Sequence, residues 1–100
     1  NPAALGAMHM YHTSRGEHLR ALDFATSAVL CSPYNPNFWI HQARSLATLG
    51  RVQELETMRS KALRLMPEQR VLLEEAYGSL LEQARREKPS APAVNDRRPP

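Results

Sequence analysis

The fold is decided by residues 35–67, which read NPNFWIHQARSLATLGRVQELETMRSKALRLMP. A proline lies near each end of this stretch, and a glycine separates two segments with helical apolar spacing. When the sequence is shifted by 34 positions, three pairs of like residues coincide: Gly16 with Gly50, Ala28 with Ala62 and Pro33 with Pro67. Self-similarity at such a period is typical of helix-turn-helix units that bury an apolar face against the next unit. The sequence therefore predicts an all-α solenoid.

Five residues of this stretch occur in the order of a known repeat: Trp39, Ala43, Gly50, Ala62 and Pro67. They supply an aromatic and a small residue in the first helix, a turn glycine, a small residue in the second helix and a proline near its end. The segment therefore resembles a tetratricopeptide repeat. The preceding unit matches in its second half, whereas its first half has Leu5 where Trp is usual and His9 where a small residue is usual.

The resemblance covers about residues 2–86 and implies a right-handed α-solenoid of five antiparallel helices. Repeat 1 covers about residues 2–35, repeat 2 about residues 36–69, and a capping helix about residues 67–86, which together form one domain over residues 1–86. Residues 87–100 are rich in proline and polar residues, so we expect a disordered tail there. The chain begins with Asn rather than Met, which suggests a fragment or vector-derived residues within positions 1–10.

The first hairpin is predicted from apolar spacing and one glycine. Its first helix spans residues 2–14, with a packed face formed by three apolar residues: Leu5, Met8 and Tyr11. Gly16 is expected at the turn, because glycine adopts a left-handed backbone without a Cβ clash. The second helix is expected over residues 17–31, where Cys31 takes the place of a buried aliphatic residue.

The second hairpin is bounded by prolines. Asn35 is expected to cap the third helix and Pro36 to open it, with Trp39 on the packed face. The fourth helix is predicted over residues 52–66, with an inward face formed by Val52, Leu55, Met58, Ala62 and Leu65. Pro67 is expected to open the last helix, whose buried stripe is Leu73, Ala76, Tyr77, Leu80 and Ala84.

Composition excludes several classes of function. The formal net charge is +3, from 13 basic and 10 acidic residues that are scattered along the chain, which predicts no nucleic-acid groove. The single cysteine allows no disulfide within the chain. No apolar run approaches the ~20 residues needed to cross a bilayer, so we expect no direct membrane insertion of this fragment. A single cysteine fits a reducing compartment, so a cytoplasmic location is favoured.

Candidate chemical sites in the sequence are weak. His9 and His12 stand one turn apart, but two histidines do not close a metal site, so we expect no metal and no cofactor. No nucleophile lies on a sharp strand–turn–helix motif of the kind that catalytic serines occupy, and no glycine-rich phosphate loop is present. The sequence therefore predicts a protein without enzymatic activity.

The resemblance implies that the first helix of each pair lines a concave surface that holds a protein or peptide partner. The residues predicted to contact this partner are Met10, Thr13, Asn37, Ile40, His41, Arg44, Thr48, Glu74 and Glu75. Their mixed chemistry suits a peptide or helix. Some members of the family clamp the C-terminal carboxylate of a chaperone with Lys, Asn and Arg. The matching positions here do not carry the expected residues, which argues against that ligand: Gly6, Met10, His41, Val71 and Glu74.

Three functions compete. The leading hypothesis is a protein–protein interaction module, either a scaffold or an assembly or secretion chaperone, that holds a peptide or helix in its groove. An alternative is a terminal appendage of a larger membrane-bound glycosyltransferase or of a polysaccharide or secretion machine. A second alternative, an RNA-binding helical repeat, is disfavoured by the scattered charge. A homodimer through the first or second helix is also expected, because the capping helix shields only the other end of the stack.

Overall fold

The computed structural model describes residues 2–87, with side chains from Ala4 onward. Five α-helices follow one another: α1 (Pro2–Ser14), α2 (His18–Cys31), α3 (Pro36–Thr48), α4 (Val52–Leu65) and α5 (Arg70–Arg86). A short 3-10 turn (Pro67–Gln69) precedes α5. No strand occurs between residues 2 and 87, so the prediction of an all-α fold with five helices is confirmed. The tail predicted over residues 87–100 lies outside the described residues, apart from Glu87.

The two helix pairs repeat each other at an offset of 34 residues. The bounds of α3 are those of α1 shifted by 34, and the bounds of α4 are those of α2 shifted by the same number. The turn glycines agree as well, because Gly16 has φ +76° and Gly50 has φ +71°. Ala28 and Ala62, also 34 positions apart, are both fully buried. The repetition seen in the sequence is therefore present in the backbone.

The start of α3 is fixed by local chemistry. The Asn35 side chain accepts a hydrogen bond from the backbone N–H of Asn37 at 3.0 Å, and Pro36 occupies the first turn, as predicted. The Trp39 indole N–H donates to the carbonyl oxygen of Pro33 at 2.7 Å. This bond ties α3 to the segment that connects it to α2.

The core lies around α3, which contacts each of the four other α-helices. Trp39, Ala43 and Leu46 are at most 3% exposed. The same cluster takes in buried side chains of the last two helices and the turn between them: Leu55, Ala62, Met66, Leu73, Tyr77, Leu81 and Ala84. Burial of aliphatic and aromatic side chains is worth about 1.5–3 kcal/mol each, so this cluster supplies the main driving force for folding.

The packed face of α1 differs from the predicted one. Met8 and Tyr11 are 39% and 50% exposed, so their prediction as core residues was wrong, whereas Leu5 is partly buried. Among residues 4–14 of α1, the buried ones are His9 and His12. The spacing of three residues between apolar side chains predicted the wrong face of α1. The side of α1 that packs against α2 and α3 is instead set by the repeat register, in which buried positions are four and then three residues apart.

Two further core predictions were wrong for one shared reason. Cys31 is exposed, and Leu65, which lies 34 positions later, is 39% exposed. Both end the second helix of their pair, at a position that faces away from the core. In α5, Leu73, Tyr77 and Ala84 are buried as predicted, while Leu81 joins them and Leu80 is only partly buried.

Two glycine substitutions separate backbone strain from helix propensity. Gly78→Ala in the exposed middle of α5 should raise the free energy of unfolding by about 1 kcal/mol, because a Cβ there meets no atom within 4 Å and alanine favours helix. Gly16→Ala should lower it by about 1–2 kcal/mol, because φ +76° strains any residue with a Cβ. Urea denaturation measures both changes, and equal effects of the two variants would contradict this assignment.

Candidate binding surface on α1, α3 and α5

A depression lies between α1 and α3, with one contribution from the start of α2, and has a volume of about 280 Å³. We call it the α1/α3 groove. Most of its wall area is apolar, although most of its lining residues carry a polar or basic group: His9, Met10, Thr13, Ser14, His18, His41, Arg44, Ser45 and Thr48. The structure therefore brings together five residues predicted to contact a partner: Met10, Thr13, His41, Arg44 and Thr48.

A second depression lies between α3 and α5 and has a volume of about 190 Å³. This α3/α5 groove is lined by Ile40, Arg44, Ala76, Ser79 and Leu80. Arg44 borders both grooves, so the two adjoin along one surface. Ala76, Ser79 and Leu80 were not predicted as contact residues. Ser79 lies 34 positions after Ser45 of the α1/α3 groove, so the repeat period was a signal that could have indicated Ser79.

Three predicted contact residues line neither groove. Asn37 and Glu75 are exposed elsewhere on their helices. The Glu74 carboxylate is held by Arg59 of α4 at 2.6 Å and by Arg70 at 3.2 Å, so it faces α4 instead of α3. The structure thus separates these three from the other six, and their contact with a partner stays a prediction.

Histidine rings form one wall of the α1/α3 groove. The Nδ1 of His9 lies 3.0 Å from the carbonyl oxygen of Ala21, and because a carbonyl only accepts, Nδ1 carries the proton. The ring centroids of His9 and His41 are 5.0 Å apart. Burial, the neighbouring His9 and the positive charge of Arg44 lower the pKa of His41 below its ordinary value of 6.5. Around neutral pH, His41 is therefore an uncharged ring beside a cationic guanidinium.

Ser45 stands out among the hydroxyl groups of this groove. Thr13 Oγ1 donates to the carbonyl oxygen of His9 at 2.8 Å, and Thr48 Oγ1 donates to that of Arg44 at 3.0 Å. Ser45 is 3% exposed, and its Oγ has no hydrogen-bond partner among the described residues. A buried hydroxyl without a partner costs about 1–3 kcal/mol, so Ser45 carries an unsatisfied polar group at the wall of the groove.

His12 is committed to the turn after α1. Its Nδ1 lies 2.5 Å from Oε1 of Glu17, and its ring stacks on Phe24 with centroids 5.2 Å apart. The hydrogen bond with His12 is the main cause that lowers the pKa of Glu17. His9 and His12 therefore hold different partners. Within residues 4–87, no group of three or more His, Cys, Asp and Glu side chains is placed to bind a metal ion.

A more apolar depression of about 320 Å³ lies across α2, α3 and α4. Its lining is Thr26, Val29, Leu30, Pro33, Trp39, Gln42, Met58, Lys61 and Leu65. Leu30 is 78% exposed at its border. The Gln42 side chain donates through Nε2 to Thr26 Oγ1 at 3.2 Å, while its buried Oε1 has no partner in the described part of the chain.

Five of the nine Arg and Lys side chains that lie away from the two grooves in the described part of the chain are paired with carboxylates. Ion pairs join Arg15 to Glu17, Arg51 to Glu54, Arg59 and Arg70 to Glu74, and Arg85 to Glu56. Such exposed pairs contribute about 0–1 kcal/mol each, but they reduce the positive potential available to a polyanion. None of the described helices has the length and apolar character required to cross a membrane.

The lowered pKa of His41 predicts a pH dependence of stability. In the unfolded chain His41 titrates near 6.5, whereas the folded chain takes up this proton only at lower pH. As the pH falls through 6.5, the unfolded state therefore binds a proton that the folded state does not. The free energy of unfolding decreases until the pH also falls below the pKa of His41 in the folded state. When the pH is lowered from about 7 to about 5, the free energy of unfolding of the His41→Gln variant should therefore fall less than that of the unchanged protein. Parallel curves of Tm against pH would contradict the prediction.

Comparisons of the chain with family models, curated proteins and solved structures found no match. Its function is therefore inferred from its residues and their geometry.

Proposed function

We propose that this chain is a non-enzymatic protein–protein interaction module that binds an extended peptide or a helix along α1, α3 and α5. The observation that carries the proposal is the position of Arg44, which borders both the α1/α3 groove and the α3/α5 groove. A ligand that crosses Arg44 contacts both depressions at once. Extended surfaces of this kind are the usual binding sites of helical repeat proteins.

The size and lining of the grooves favour peptide side chains over a small cofactor. Their volumes of about 280 and 190 Å³ lie below the roughly 300–1,000 Å³ of typical small-molecule sites. The α3/α5 groove offers apolar contact through Ile40 and Leu80, and the α1/α3 groove offers hydrogen bonds and positive charge through His41 and Arg44. Each groove thus combines apolar wall with polar groups, and two such adjoining depressions fit successive side chains of one peptide.

The proposed architecture is a right-handed, tetratricopeptide-like solenoid with α5 as the capping helix. Support comes from the identical helix bounds at an offset of 34 residues and from the left-handed glycine in both turns. The cap assignment is supported by α5, which buries Leu73, Tyr77 and Ala84 and exposes its other side. A module of this size is compatible with a scaffold or an assembly chaperone, and equally with the end of a larger secretion or polysaccharide machine.

A peptide library tests the proposal. Panning a random display library against the folded protein should enrich peptides that bind it. The double variant His41→Ala with Arg44→Glu should weaken the binding of these peptides at least about tenfold, because it truncates one side chain of the α1/α3 groove and reverses a charge shared by both grooves. Isothermal titration calorimetry of the selected peptides measures the loss.

The matched control is Arg64→Glu, which makes the same charge reversal at an exposed position of α4, away from both grooves. The control should bind the selected peptides as the unchanged protein does, and circular dichroism should show equal helicity for all variants. Equal binding by the double variant and the control would place the binding site elsewhere. Failure to enrich any peptide would overturn the proposed function.

Self-association is a separate proposal that rests on exposed apolar side chains of α2. Leu30 is 78% exposed beside the apolar depression on α2, α3 and α4. Association of two copies through this region would bury apolar surface that is exposed to water in the monomer. We expect sedimentation velocity to show a reversible dimer at high protein concentration, weakened by Leu30→Glu. Val71→Glu on α5, at a residue 74% exposed, is the matched control and should leave the dimer intact. A monomer at every concentration would contradict this proposal.

A further inference from the structure

The α1/α3 groove gathers four groups that are positively charged or become so on protonation. They come from every helix that borders it: His9 from α1, His18 from α2, and His41 and Arg44 from α3. No carboxylate is among the lining residues. The nearby carboxylate of Glu17 is held by His12 and Arg15. The electrostatic potential of the groove therefore becomes more positive as the pH falls.

His9 changes its hydrogen-bonding role when it gains a proton. Its Nδ1–H is already bonded to the carbonyl oxygen of Ala21, so only Nε2 is left for a ligand. In the neutral ring Nε2 is an acceptor and repels the oxygen atoms of a carboxylate. In the protonated ring it is a donor and attracts them. The fixed Nδ1 contact keeps the ring in place for both roles.

Two further donors complete the site. Ser45 lines the same groove and its buried Oγ has no partner among the described residues, so a rotation of this side chain would bring an unbonded O–H to an anion in the groove. The Arg44 guanidinium, also at this groove, is charged at all relevant pH values and carries five N–H donors. One permanent cation, one hydroxyl and a pair of histidine rings 5.0 Å apart form a set of donors suited to a carboxylate.

We propose that the α1/α3 groove is a proton-dependent carboxylate site that anchors an Asp or Glu side chain of the bound peptide. The source of the carboxylate rests on the proposed function, whereas the anion site itself is testable without any peptide. While the ring of His41 is neutral, the carboxylate meets Arg44 and Ser45 as donors, and a proton taken up by His41 adds a further positively charged donor. Binding of an acidic ligand is therefore linked to proton uptake and strengthens on acidification.

Nuclear magnetic resonance of the histidine rings tests the site with succinate as the probe. Because a carboxylate stabilises the protonated ring, saturating succinate should raise the pKa of His41 by about one unit, which corresponds to about tenfold tighter binding by the protonated form. Succinamide, which has the same shape without charge, should leave it unchanged at equal ionic strength. Equal His41 titration curves with succinate and succinamide would overturn the proposal.

Two variants distinguish a built site from general attraction to positive charge. Ser45→Ala removes a buried hydroxyl without a partner, so the fold should be as stable or more stable, while the succinate effect on His41 should fall several-fold. Arg44→Gln should reduce it further, whereas Arg64→Glu should not. A full succinate effect in both Ser45→Ala and Arg44→Gln would show that these residues do not form the site and would overturn the assignment.

Panning at two pH values links the site to the peptide. Peptides selected at about pH 5.5 should contain more Asp and Glu than those selected at about pH 7.5, and replacing the anchoring Glu by Gln should remove the pH dependence of binding. If succinate acts on His41 but no peptide is enriched, the proposed function fails and the anion site stands. If peptides bind the grooves but succinate has no effect, the proposed function stands and this inference fails.

Discussion

Burial of the inner face of α3 is the constraint on which the rest of the structure depends. This helix contacts all four other α-helices, and Trp39, Ala43 and Leu46 close the space between them. The large Trp39 fills that space, while the small Ala43 allows close approach, so a change in volume at either residue is transmitted to every neighbour. The indole N–H bonds to the carbonyl oxygen of Pro33 and fixes the connection between the helix pairs. Both grooves are therefore positioned by one helix, since α3 supplies a wall of each.

The first helix pair buries the same repeat positions as the second pair, but with polar instead of apolar residues. His9 and His12 of α1 lie 34 positions before Ala43 and Leu46, and all four are buried. Burying a polar ring is costly unless it is hydrogen-bonded, and here Ala21 O accepts from His9 while Glu17 binds His12. A hydrophobic side chain would fill these positions at lower cost. Positions where a sequence departs from the simplest core residue are where function is expected, and His9 lines the α1/α3 groove.

The α1/α3 groove and the core lie against adjacent sides of the same helix, α3. Ser45 lies between the buried Ala43 and Leu46 on one side and the groove residues His41 and Arg44 on the other, which explains why its hydroxyl is sheltered from water at the edge of the groove. Its missing hydrogen bond is a cost to the folded protein, whereas the hydroxyls of Thr13 and Thr48 are bonded within their own helices. The α3 wall of the groove is thus packed against the core and also carries a polar group without a partner among the described residues.

The sequence by itself determined the features that depend on a few neighbouring residues. Helix bounds, the cap at Asn35 and the left-handed turn at Gly16 follow from local backbone preferences, which act in the same way wherever the segment lies. Only the tertiary structure decided which side of each helix is covered. Apolar spacing alone placed Met8 and Tyr11 inside, yet the neighbouring His9 and His12 are the buried residues. Arg59 of α4 holds the Glu74 carboxylate away from the grooves. These outcomes depend on the register and angle at which separate helices meet, and such long-range packing is not encoded in the spacing of any single segment.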